Sequence, residues 1–174
     1  METTKNEIAQ IFVTDYESYN NGNQFEHGHW IDLDQFSDFD GLEEYLNNHF
    51  DKIGLENPEI MITDFEGFPK KYYSESFDTT LLESLFEYLE FKKSCHNEEA
   101  LFAYVNDGND FDNFDEAFQG QYKDDQDFAY EVAEQLGAID HKATWPQNCI
   151  DWEYAARELM YDYQEIDGYY FRNL

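Results

Sequence analysis

Positive charge is scarce in this chain: 10 Lys and Arg stand against 40 Asp and Glu in 174 residues, a formal net charge of -30. Duplex nucleic acid would repel such a surface, and so would the anionic face of a membrane. The expected partners therefore include no nucleic acid and no membrane. Cysteine is scarce as well. Cys95 and Cys149 lie too far apart in sequence for a CxxC pair and are too few for a disulfide framework. Apolar runs extend only a few residues, far short of the ~20 that a spanning helix requires. The N-terminal residues lack the charged and apolar regions of a signal peptide. These absences predict a cytoplasmic, soluble chain with reduced thiols.

Catalytic signatures are missing too. There is no GxSxG, P-loop or dinucleotide fingerprint, and no Ser, His and Asp set rises above chance. With 40 carboxylates, any pair nominated for acid/base work carries almost no information. His27 and His29 form an H-x-H that on a strand would point to one side, but no third ligand follows at a recognised spacing. The Asp-rich run from Asp107 to Glu116 fails the EF-hand pattern, because its glycine and alternating ligands are out of register. The expectation is a protein that is not an enzyme and needs no cofactor or metal.

What the chain does have is rings among its acids. Between Asp107 and Glu134, ten carboxylates share the segment with one cation, Lys123, and with Phe111, Phe114, Phe118, Tyr122, Phe128 and Tyr130. A solvated acidic tail has no use for so many rings, since a chain poor in large apolar groups cannot recover its ordering entropy. At 41% apolar and 19% aromatic residues, the sequence can build a core. Trp30, Trp145, Trp152 and most Phe residues are assigned to it. Self-repulsion works against compactness, so a charge of this size points to a cationic partner or to a solubility adaptation. B-DNA carries about one charge per 1.7 Å, so 30 charges correspond to about 15 base pairs at most.

Periodicity and breakers divide the chain into three segments and predict an α+β fold. In residues 1–67, a polar start (1–6) should fray. Ile8 to Tyr16 reads as a strand, Asn20, Asn21 and Gly22 as a turn, and Phe25 to Ile31 as the return strand. Asp40 is the expected N-cap of a helix bearing Leu42, Tyr45, Leu46, His49, Phe50 and Ile53 inward and Glu43, Glu44 and Asp51 outward. Ile60 to Ile62 reads as a third strand.

Residues 68–110 form a helical middle, with one helix from Thr79 to about Lys93 and another capped by Asn97. Residues 111–174 read as a second α+β unit: a helical turn at Asp115 to Phe118, a strand at Gln119 to Tyr122 and a helix from Asp124 to Leu136. A further helix has Ile150, Tyr154, Ala155 and Leu159 as its inner stripe, and a hairpin turns at Asp167 and Gly168. The net charges of the three segments are -14, -5 and -11. The acid is spread from end to end.

Several stretches together resemble the ArdA-type antirestriction proteins of plasmids and conjugative transposons. They are Tyr19-Asn20-Asn21-Gly22 with Gly28-His29-Trp30-Ile31; Glu59-Ile60-Met61-Ile62-Thr63-Asp64-Phe65-Glu66-Gly67-Phe68; Phe114-Asp115-Glu116-Ala117-Phe118-Gln119-Gly120; Asp127-Phe128-Ala129-Tyr130-Glu131; and Asp167-Gly168-Tyr169-Tyr170-Phe171-Arg172-Asn173. The resemblance implies an elongated three-domain α+β protein that forms a homodimer through its C-terminal domain and imitates bent B-form DNA. Such proteins fill the DNA-binding groove of type I restriction-modification enzymes. It also implies an antirestriction motif on about the segment from Gln119 to Glu134. The chain departs from the family pattern in its polar N-terminal extension and in a less acidic middle with two lysine pairs.

On that basis the expected partner-binding acidic surface comprises Asp112, Asp115, Glu116, Asp124, Asp125, Asp127, Glu131 and Glu134. A groove lined with Lys and Arg meets such carboxylates as it meets phosphates, which position a protein without reading sequence. Two other readings fit the same residues. One is a halophilic protein whose acid needs no partner; the other is an acidic chaperone or scaffold for a basic client.

Overall fold

A computed structural model of the chain describes residues 8–55, 57–143 and 145–174. The polar start expected to fray lies outside the described residues. The fold is mixed α+β, with small antiparallel sheets and helices in two compact units that divide between His96 and Asn97. The segment 68–110 contributes one helix to each unit.

In the first unit, β1 (Gln10–Asp15) is the central strand of a three-stranded antiparallel sheet. It is followed by two short helices, α1 (Tyr16–Asn20) and α2 (Gln24–His27), before β2 (His29–Asp32) returns beside it. The chain does turn at Asn21 and Gly22, with Gly22 at φ 74°, but the turn joins two helices rather than two strands, and the first half of the expected return strand is helical. The cause is local hydrogen bonding. Asp15 caps α1 by accepting from the Ser18 amide at 2.9 Å, and Thr14 donates to the Gln24 carbonyl at 3.3 Å. Helix α3 (Phe39–Lys52) starts two residues earlier than expected because Asp38, not Asp40, takes the Gly41 amide at 3.0 Å.

Alternation along the strands puts Ile11, Val13, His29 and Ile31 on one face. That face meets α3: His29 hydrogen-bonds the Tyr45 hydroxyl at 2.9 Å, while Leu42, Leu46 and Phe50 are fully buried. The third strand, β3 (Ile60–Glu66), runs past Ile62 to Glu66 and pairs with the other side of β1. Helix α4 (Thr79–Ser94) is capped by Asp78 and buries Leu82, Leu85, Phe86, Tyr88 and Leu89.

The second unit begins with α5 (Glu98–Asn106), capped by Asn97 as expected. A short turn, α6 (Phe114–Ala117), leads into β4 (Phe118–Gln121), and α7 (Asp125–Gln135) follows with Asp124 as its cap. Then come α8 (Trp152–Leu159) and a hairpin of β5 (Tyr163–Ile166) and β6 (Tyr169–Arg172). Asp167 and Gly168 both have positive φ, 54° and 83°, the pattern of a type I′ turn.

Strand β6 is central in the order β4-β6-β5, and its residues Tyr169, Tyr170 and Phe171 are all buried. Phe171 and Tyr169 face α5, against Tyr104 at 4.7 Å and Glu99 at 3.0 Å respectively. Tyr170 faces α7, with its ring 4.6 Å from Phe128.

Two expectations about packing are corrected. In α8 the buried residue is Ala156, whereas Ile150 and Tyr154 are exposed. Asp151 caps the helix, so Ile150 lies outside it, and Tyr154 sits about 160° around the axis from Ala156. The tryptophans are not core: Trp145 is 76% and Trp30 40% exposed, and Trp152 is half-buried beside Tyr130.

Candidate functional site

The acids of the second unit occupy two kinds of position. In the turn at α6, Phe114 and Ala117 point inward, which leaves Asp112, Asp115 and Glu116 exposed. Around α7 four carboxylates have a definite setting. Asp124 caps the helix, and the Asp127 amide it accepts at 2.9 Å, with Lys123 nearby, holds its carboxyl below the usual range despite the opposing effect of desolvation. Asp125 accepts a 2.7 Å hydrogen bond from the Tyr170 hydroxyl. Asp127 accepts from the Lys123 amide at 3.3 Å. Glu134 is held low by hydrogen bonds from Tyr130 and from His141, the latter at 2.8 Å.

Of the eight expected residues, seven are exposed and Glu134 is half-buried. The helix brings three of them together. With Phe128 and Ala129 turned inward, Asp127, Glu131 and Glu134 fall at i, i+4 and i+7 on the outer face, with Cβ atoms about 5–6 Å apart from one turn to the next. Asp124 and Asp125 cluster at the N-terminus of the same helix, where the dipole favours carboxylates.

The first unit is acidic too, and its stripe on α4 was not singled out from the sequence. On α4, Glu83, Glu87 and Glu90 repeat the i, i+4, i+7 spacing, and all three are exposed. They line an open groove of about 520 Å³ with Asp38 and Asp40, and its floor is formed by the buried rings of Phe39 and Phe86. On α3, Asp40, Glu43, Glu44 and Asp51 are exposed. The spacing of Glu83, Glu87 and Glu90 is legible in the sequence, upstream of the denser acidic run from Asp107 to Glu134. The two units hold 21 acids against 6 bases and 19 against 4, which is a net -15 each.

Other chemistry fits poorly. His27 and His29 do not share a side: His27 ends α2 and faces Ser18, while His29 lies in β2 and faces α3. Desolvation and neighbouring His49 push the His29 pKa down. No group of three or more metal-binding side chains occurs among the described residues. The fold does bring Asp15, Ser18 and His27 together, a set the sequence had not suggested. Ser18 Oγ lies 2.8 Å and Asp15 Oδ2 3.4 Å from the same nitrogen, His27 Nδ1. A nucleophilic relay needs the hydroxyl and the carboxylate on opposite ring nitrogens. This trio instead ties α1 and α2 to β1.

A family model described as Antirestriction protein (ArdA) matches residues 11–172, nearly the entire chain. The chain belongs to the ArdA antirestriction family. No curated protein matches it. ArdA is an inhibitor family rather than a known family of enzymes, and membership implies that this chain works on restriction-modification enzymes in general. The match takes in both acidic units of this chain. No helix among the described residues is long and apolar enough to cross a membrane.

Proposed function

We propose that this ArdA protein inhibits restriction by presenting its carboxylates as a substitute for DNA phosphates in the DNA-binding groove of a type I restriction-modification enzyme. The observation that carries this reading is the repeated stripe: Glu83, Glu87 and Glu90 on α4 and Asp127, Glu131 and Glu134 on α7 share one spacing, one in each unit. Ordered helices fix these charges at a separation on the scale of phosphates along a strand. Asp112, Asp115, Glu116, Asp124 and Asp125 extend the acidic surface of the second unit.

Because phosphate contacts position a protein without reading bases, inhibition is indifferent to the target's recognition sequence. Occlusion of a shared groove blocks methylation together with cleavage. The second unit also supports the homodimer. Tyr161 is 74% exposed, and Trp145, Ile150 and Tyr154 are exposed in the same unit, more large apolar surface than a solitary acidic protein needs.

The experiment is to assay cleavage and methylation by type I enzymes of different recognition sequences at rising protein concentration. Similar inhibitory concentrations support the reading. Inhibition confined to one recognition sequence would overturn it.

A further inference from the structure

The outer face of the first sheet takes no part in the acidic stripes. Strand register arranges it as a grid. Trp30 stands opposite Phe12 and Phe12 opposite Asp64; in the next row Asp32, Gln10 and Glu66 stand abreast. These side chains point away from α3, because Ile11, Val13, His29 and Ile31 point toward it. Phe25 of α2 and Trp30 each meet the Phe12 ring edge-on, both at 5.7 Å between centroids. Phe12 is buried beneath them, while Phe25 is 77% exposed.

The result is an exposed aromatic pair beside three carboxylates, with no Lys or Arg in α2 or in any of the three strands. Burial of Phe12 accounts for part of this arrangement. It does not account for a phenylalanine that leaves most of its surface in water on a chain of net charge -30.

We propose that this face is a seat for arginine side chains lining the groove that the protein occupies, an inference that rests on the mimic reading above. Guanidinium is planar and weakly hydrated, stacks on aromatic faces and forks onto carboxylates, so Phe25 and Trp30 with Asp32, Asp64 and Glu66 offer both halves of what it binds. Lysine ammonium, compact and strongly hydrated, gains less from the rings. Charge decides the occupant. A second copy of this chain or an anionic lipid surface would bring like charge against the three carboxylates, whereas the arginines of a DNA-binding groove bring the opposite sign. The seat also adds a component of binding that salt screens weakly, since ring contacts persist where Coulomb attraction fades.

The test is displacement of labelled duplex from a type I methyltransferase and specificity core, at two salt concentrations, by wild type, Phe25→Ala, Trp30→Ala and Trp30→Phe. Both Ala variants are expected to need about three- to tenfold more protein for half-displacement. Their salt slope should match that of wild type, and Trp30→Phe should keep most of the affinity. Phe25→Ala removes the more exposed of the two rings, and circular dichroism checks that it keeps the fold. Unchanged displacement by both Ala variants, with wild type displacing DNA, overturns the seat and leaves the mimic reading standing. A shift of the variants toward monomer in sedimentation overturns it in favour of self-association. Failure of wild type to displace DNA fails the mimic reading itself, and the seat falls with it.

Discussion

Tyr170 donates its hydroxyl proton to Asp125 across 2.7 Å, so a buried ring of β6 positions an exposed carboxylate at the start of α7. Burial and the Asp125 carboxylate both push the Tyr170 pKa upward, which keeps the phenol protonated and donating. Its contribution to stability is therefore complete below the ordinary tyrosine value and is lost only as pH rises through the higher folded value. Tyr170→Phe is expected to cost about 1–2 kcal/mol of stability in denaturant unfolding. Inhibition should barely change, because the exposed Asp125 carboxylate remains in place at the start of α7.

The acidic stripes predict shared rather than concentrated binding energy. Any one of Asp127→Asn, Glu131→Gln or Glu134→Gln should weaken inhibition by less than about fivefold, as exposed charges contribute roughly 0–1 kcal/mol each. The triple variant on α7 and the Glu83, Glu87 and Glu90 triple on α4 should each lower affinity by roughly tenfold or more and flatten its salt dependence. Half-inhibition measured at several salt concentrations reads both effects. A single substitution that abolished inhibition would indicate a discrete hot spot instead.

Gly28 joins α2 to β2 where no side chain fits. A Cβ there would run into the Gln24 carbonyl oxygen and come within 2.7 Å of the Phe12 ring. Gly28→Ala should therefore destabilise the first unit by about 1–3 kcal/mol. Thermal unfolding followed at that unit's tryptophan, Trp30, is the check.

Acid should unfold the protein through a few specific carboxyls. Desolvation works to raise the pKa of Asp15, but hydrogen bonds from the Ser18 side chain and amide and from His27 outweigh it and leave the group below its ordinary 3.8. Asp124 and Glu134 are also held low. A depressed carboxyl stabilises fully above its unfolded value and loses that contribution as pH falls through the folded one. Tm should hold between pH 7 and about 5 and drop below about pH 4. Asp15→Asn, which keeps the cap, should flatten that drop. A Tm that climbed steadily to pH 3 would show relief of charge repulsion to be the larger effect.

How far the fold could be read from the sequence follows from which interactions made each element. Helices α4 and α7 have Asp78 and Asp124 as caps and long apolar stripes, and the β5-β6 hairpin has Asp167 and Gly168 at its turn. These signals are local, and the elements lie where periodicity placed them. Helices α1 and α2 are too short for periodicity and depend on Asp15, Ser18 and His27 meeting across nine to twelve residues. The apolar signal of strand β3 stops at Ile62 although the strand runs to Glu66, because Asp64 and Glu66 face solvent and half of an edge strand's residues carry no apolar signal. Within the site, the spacing of Asp127, Glu131 and Glu134 was legible. The tie of Asp125 to Tyr170, 45 residues away, was not.

Competition for a bound duplex tests the central claim most directly. A type I core enzyme carrying labelled DNA is titrated with the protein at increasing salt. The account predicts release of DNA at near-stoichiometric protein, weakening steeply as salt rises, from a chain that is folded at low salt. A folded chain that leaves the DNA in place at low salt would contradict mimicry for that enzyme, and binding to basic protein clients would then be the measurement to make.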